Sequence, residues 1–283
     1  MKVFNCPVFI QNGYKSISNG ISGLTLKVYE SYFKTMKGFV EACGQGKYRP
    51  LGVIVGMVLT EATTLLKAGA HTFWYSKSPQ TYGIDKRNPD CTKKHVLLMH
   101  GAAGNCRYMH NLAQHLIKQG IEVSVLDTGG GEPTEEKMKK VRDKIADIRQ
   151  RYTSMINAAN PKSSFPKIDI VAHSLGGYQG LYSAFANPTI VNGKVTNKDE
   201  LRPNPWVGKV VTLAMPFDKE DCALLEAAGK TNDAYNVNAE YDALMGHKTP
   251  TLNLFNTWVV KAGHIGIVYN QTAMDAVTRI ISQ

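Results

Sequence analysis

Ser174, His264 and a carboxylate lying between them are the residues of this chain whose types and spacing could together transfer an acyl group. A serine hydroxyl is a poor nucleophile at neutral pH. It needs a histidine to take its proton and an acid to fix that histidine's tautomer. Ser174 stands in Ala172-His173-Ser174-Leu175-Gly176-Gly177, where small residues let a strand and a helix pass close together. His173 is adjacent to it and is expected to point elsewhere. His247 precedes the last expected strand, Thr251–Phe255, whereas His264 follows it in Lys261-Ala262-Gly263-His264-Ile265-Gly266. His264 is therefore the expected base. The acid is expected after the preceding strand, in Ala239-Glu240-Tyr241-Asp242, and Asp242 is the choice. Glu240 beside it and Asp218 after an earlier strand are the alternatives. A tetrahedral intermediate needs two N–H donors. The amides of Leu175 and Ala102 are the expected pair, with His100 a structural turn residue.

The elements that must position these groups follow from the hydrophobic pattern. Ile168, Ile170 and Val171 form an apolar, β-branched run, as in a strand buried on both faces. A helix-compatible stretch, Tyr178–Ala186, comes after the serine. Strand, sharp turn and helix make the Ala-x-Ser-x-Gly pattern believable as a nucleophile turn that forces the serine into a strained backbone conformation, with Ala172 in place of the usual first glycine. Earlier in the chain, His95–Met99 is an apolar strand, Tyr108–Lys118 a helix that Gly120 can cap, and Ile121–Leu126 a second strand. A long charged helix runs from Thr134 to about Ala158. Lys209–Ala214, Ala234–Asn238 and Thr251–Phe255 are further strands, and Thr272–Ser282 is a closing amphipathic helix. Strands alternating with helices predict an α/β fold, a doubly wound, mostly parallel sheet.

The chain has 283 residues, which suits one large α/β domain with an accessory segment. Two parts are expected: a helical extension and connector, 1–94, and a catalytic domain, 95–283. A net charge of +10 favours anionic surfaces such as phospholipid headgroups. No Arg-rich stripe or RNA-binding signature accompanies that charge, so nucleic acid is not an expected partner. The five cysteines are scattered without metal-ligand spacing, which argues for free thiols in a reducing compartment and against a metal site. Ile21, Leu24, Val28, Tyr32, Met36 and Phe39 give the extension one apolar helical face. Leu51–Tyr75 is too short in clean apolar sequence for a membrane span and carries Glu61 near its middle, so a buried helix is the expectation. The N-terminus lacks the apolar core of a signal peptide. A cytoplasmic protein follows, with peripheral membrane contact through the basic, apolar extension.

His100-Gly101, Ala172-His173-Ser174-Leu175-Gly176-Gly177 and Gly263-His264-Ile265-Gly266-Ile267-Val268-Tyr269 resemble the α/β-hydrolase lipases, and the last stretch is similar to that of the small, lidless bacterial lipases. Thr212-Leu213-Ala214-Met215-Pro216 resembles a strand that reads Gly-Thr-Pro in such acyl hydrolases. The resemblance covers roughly His95–Gln283. It implies hydrolysis of carboxylic esters through Ser174, Asp242 and His264, without a cofactor, on an acyl ester or lipid substrate. An acyltransferase or thioesterase on the same triad, and a non-catalytic membrane-associated binding protein, are the alternatives. Ala186–Gly208 and Phe217–Asp233 are the only sizeable insertions after the serine that could cover it.

Overall fold

Strands β1 (His95–Met99) and β3 (Ile168–His173) are buried along their whole length, as near-continuous apolar runs require. In the computed structural model the described residues are 93–101, 106–129, 132–159, 166–215, 220, 223–224, 233–240, 242 and 256–283. The expected extension, up to residue 92, lies outside them, including the Leu51–Tyr75 run. So do Ala102, Asp218 and His247. Among the described residues no helix is long and apolar enough to cross a membrane.

The two strands belong to a six-stranded parallel sheet with β2 (Glu122–Leu126), β6 (Val207–Leu213), β7 (Ala234–Ala239) and β8 (Asn256–Val260), in the order β2-β1-β3-β6-β7-β8. Period-two alternation sends successive side chains to opposite layers. Val96 and Leu98 pack with helices α1 (His110–Lys118) and α4 (Gln271–Ser282) through Leu112, Leu116, Val277 and Ile280. Leu97 and Met99 pack the other way, on Val141, Ile145 and Tyr152 of α2 (Glu135–Ala159). Helix α3 (Gly176–Ser183) shares that second layer, its Leu181 meeting Met138 of α2. The result is a three-layer sandwich with the sheet in the middle.

The chain winds outward from β1 to β2, returns across β1 to form β3, and then winds the other way to β8. The reversal falls between β1 and β3. Their carboxyl ends flank the crevice where doubly wound sheets place their ligands.

The last strand among the described residues is Asn256–Val260, its register set by pairing with Tyr235–Ala239, while the expected strand Thr251–Phe255 lies outside the described residues. Helix α3 ends at Ser183 instead of Ala186, because Phe185 bridges to Pro203 and the Ala186 amide donates to the Arg202 carbonyl at 2.9 Å. The insertion that follows folds into a hairpin, β4 (Ile190–Val191) and β5 (Lys194–Val195). Asn192 and Gly193 turn it, both with positive φ, at 49° and 78°.

Candidate active site

Strand β3 delivers Ser174 to the carboxyl edge of the sheet, and the sharp turn into α3 gives it a φ of 53°. An L-residue there is strained, and such strain clusters at functional sites. The turn is held from both sides. The Ser174 amide donates to the Leu213 carbonyl at 2.9 Å, and the Gly177 amide donates to the Ser174 carbonyl at 2.8 Å. The end of β1 closes on the same turn: a Cβ on Gly101 would fall 2.7 Å from the Ser174 Cβ. Only a glycine fits that approach.

His264 comes from the loop after β8 and Asp242 from the loop after β7. The Ser174 hydroxyl lies 2.8 Å from His264 Nε2, and His264 Nδ1 lies 2.7 Å from Asp242 Oδ2. A carboxylate can only accept, so Nδ1 carries the proton and donates it, leaving the Nε2 lone pair to face the serine hydroxyl. His264 and Asp242 are both buried, at 4% and 6% exposure, while Ser174 is half-buried. The imidazole and the carboxylate are thus withdrawn from water while the hydroxyl stays reachable. Of the two candidate acids among the described residues, Asp242 is the one placed against His264. Glu240 is exposed, and its amide donates to the Val260 carbonyl at 2.8 Å.

Leu175 sits at the N-cap of α3, where backbone N–H groups have no acceptor within their own helix. Ala102, the other expected donor, follows the described Gly101. His100 is fully buried, its Nδ1 2.8 Å from the Gly101 carbonyl and its Nε2 3.0 Å from Asp127 Oδ1. That contact, helped by the Gly129 amide, holds the Asp127 carboxyl down at about 2 despite partial burial. The pair ties the ends of β1 and β2 together, the structural role expected of His100.

His173, expected to point elsewhere, reaches the loop of His264: its Nε2 donates to the His264 carbonyl at 2.8 Å. Burial, and then the neighbouring His264, hold its pKa well below 6.5, so the ring is neutral. A groove of about 190 Å³ is lined by Leu175, Tyr178, Tyr182, Lys194, Val195 and Glu220. The hairpin therefore walls the surface next to the serine. Among the described residues no group of three or more His, Cys, Asp or Glu side chains could hold a metal ion.

A doubly wound parallel sheet with Ser174 raised at its carboxyl edge defines an α/β serine hydrolase. Within that superfamily the chain belongs to the family described as Serine aminopeptidase, S33, which matches residues 90–259. Among solved structures it is similar to an esterase of Pyrococcus furiosus, at 14% identity over 68% of this chain and 84% of that one, with a TM-score of 0.43. It is also similar to a dienelactone hydrolase from Anabaena variabilis, at 17% identity over 67% and 84% of the two chains, with a TM-score of 0.36. An alpha-beta serine hydrolase homologue from Coxiella burnetii is similar at 11% identity over 69% and 86%, with a TM-score of 0.42. A search of curated proteins gives no match.

Proposed function

We propose that the protein hydrolyses carboxylic esters through Ser174, His264 and Asp242, and that lipid esters are its finer substrate class. The observation that carries this reading is the unbroken line from the Ser174 hydroxyl through His264 to Asp242, at 2.8 and 2.7 Å. Ser174 Oγ attacks the acyl carbon and its proton passes to His264 Nε2. The amides of Leu175 and Ala102 receive the developing oxyanion. His264 then protonates the leaving alkoxide, and the alcohol departs from an acyl-enzyme. Water attacks that ester, giving its proton to His264. The acid leaves as Ser174 recovers the proton. Asp242 holds the tautomer throughout and stabilises the transient imidazolium. An acyltransferase or thioesterase would use the same acyl-enzyme with a different acceptor or leaving group.

The family's description favours a second reading, cleavage of N-terminal peptide amides. One panel separates the two. The native chain and Ser174→Ala are labelled with a fluorophosphonate, then assayed on p-nitrophenyl esters, phospholipid vesicles and aminoacyl p-nitroanilides. Serine-dependent labelling with ester turnover supports the first reading. Turnover confined to the anilides replaces it with the second, and no labelling of the folded native chain removes both. Peripheral contact with lipid, carried by segment 1–94, belongs to the same proposal. Co-sedimentation of the full chain with anionic vesicles tests it, and failure to sediment at low salt removes it.

A further inference from the structure

The loop bearing His264 has a long way to reach. Two strands, β6 and β7, separate β3 from β8 in the sheet, so His264 must cross their carboxyl ends to meet Ser174. Past Val260 that loop has left the ladder, and His264 and Ile265 form a turn with no strand partner to fix them. A displacement of about 1 Å at such a group can cost about a hundredfold in rate. The fold must therefore pin this turn by other means.

Among the described residues, two side chains hydrogen-bond its carbonyls. His173 Nε2 donates to the His264 carbonyl at 2.8 Å, and the Tyr108 hydroxyl donates to the next carbonyl, that of Ile265, at 2.9 Å. Their rings also form a run of tilted and edge-on contacts that ends on the His264 ring. Tyr269 meets Tyr108 edge-on at 5.6 Å, Tyr108 meets His173 at 5.3 Å, and His173 meets His264 at 5.0 Å between centroids. Tyr108 and His173 are both buried. Room for the His173 ring depends on Gly101, where a Cβ would fall 3.1 Å from His173 Nδ1. The column thus touches the end of β1, the end of β3 and the loop after β8 at once.

We propose that His173 and Tyr108 are positioning residues, clamping the consecutive carbonyls of His264 and Ile265 so that the His264 ring keeps its hydrogen bonds to Ser174 and Asp242. The proposal rests on the serine hydrolase reading above. Neutrality suits His173 to this post: a second cation 5.0 Å from His264 would oppose the charge His264 takes up in each turnover. Tyr108 acts through one oxygen, on the carbonyl next to the one that His173 holds.

The test compares the native full-length chain with Tyr108→Phe, His173→Phe and His173→Gln, measuring kcat and KM on a soluble p-nitrophenyl ester together with Tm. Phenylalanine keeps a ring in the column and deletes the donor. Glutamine returns an N–H close to the position of Nε2. His173→Phe is expected to lower kcat by about 10- to 100-fold with KM within about twofold, since the loss is of alignment and not of binding. Tyr108→Phe, which removes a single oxygen, is expected to lower kcat by about three- to tenfold. His173→Gln is expected to recover most of what His173→Phe loses. Native kcat in a folded His173→Phe overturns the proposal. So does a His173→Gln variant as slow as His173→Phe, which would leave only a packing role. Should His173→Phe not fold, native kcat in Tyr108→Phe overturns it equally. Fluorophosphonate labelling of the native chain separates the two levels: with labelling intact a negative result removes the clamp alone, and without labelling the hydrolase reading falls first.

Discussion

Gly176 lies so close against His100 that a Cβ built on it would overlap the His100 carbonyl oxygen. The contact joins the first turn of α3 to the end of β1, and so fixes the height at which Ser174 stands above the sheet. Backbone cannot yield as the tip of a side chain can. Gly176→Ala is therefore expected to lose about 1–3 kcal/mol of stability by overpacking. It should also slow fluorophosphonate labelling, because the turn must lift to make room. A thermal melt and a labelling time course check both. A native melting temperature with native labelling would mean that the turn relaxes freely.

The triad variants should rank by role. Ser174→Ala and His264→Gln are each expected to lower kcat by about a thousandfold or more, and the double variant hardly further, because the residues act as a unit. Asp242→Asn should cost less than either. Glu240→Gln, at an exposed position, should match the native chain. Steady-state rates on one ester check the order, and a crippled Glu240→Gln with an active Asp242→Asn would reverse the acid assignment.

Stability should depend on pH through His173. Its pKa in the folded chain lies well below 6.5, whereas the unfolded chain protonates it near that value. The folded state thus binds fewer protons. The stability contribution is complete above 6.5 and is lost as the pH falls below it, towards the depressed folded value. His100 and His264 are the ionisable neighbours that oppose its charge. Urea unfolding at about pH 7.5 and about pH 5 should show a smaller difference in His173→Gln than in the native chain. Equal differences would assign the pH dependence to other groups.

Gly193 completes the hairpin turn at a φ of 78°, and a Cβ there would fall 3.2 Å from Glu132 Oε2. Gly193→Ala is expected to cost about 1 kcal/mol from the left-handed backbone conformation. The hairpin edges the groove beside Leu175, so the variant should alter KM for bulky esters more than kcat for small ones. Kinetics on a short and a long p-nitrophenyl ester read this directly. Identical KM ratios would separate the hairpin from substrate binding.

Much of the architecture was legible because strong local signals agreed. The run through Ile168 and Val171, the small residues after Ser174 and the closing helix each belong to a period that admits one element type. Element order then placed Asp242 and His264 after successive strands. The strand Asn256–Val260 has no signal in the sequence that sets its register, which comes from pairing with β7; the expected strand Thr251–Phe255 lies outside the described residues. Within the expected insertion Ala186–Gly208, Asn192-Gly193 is a strong hairpin signal, and the hairpin β4–β5 forms on it. His173 was discounted by a local argument, that a neighbour of the serine must face away. What it faces is a carbonyl 91 residues later, and no periodicity reports which distant loop will cross a strand end.

The parallel sheet also sets a timetable. Ser174 and the base that would activate it lie 90 residues apart, on strand ends that adjoin the middle and one margin of the sheet. During synthesis the serine emerges long before His264 does. Until β8 docks on β7 and brings its loop inward, the Ser174 hydroxyl cannot meet the His264 ring. The Ser174–His264 contact therefore depends on the pairing of the last described strand, however early the serine itself is made.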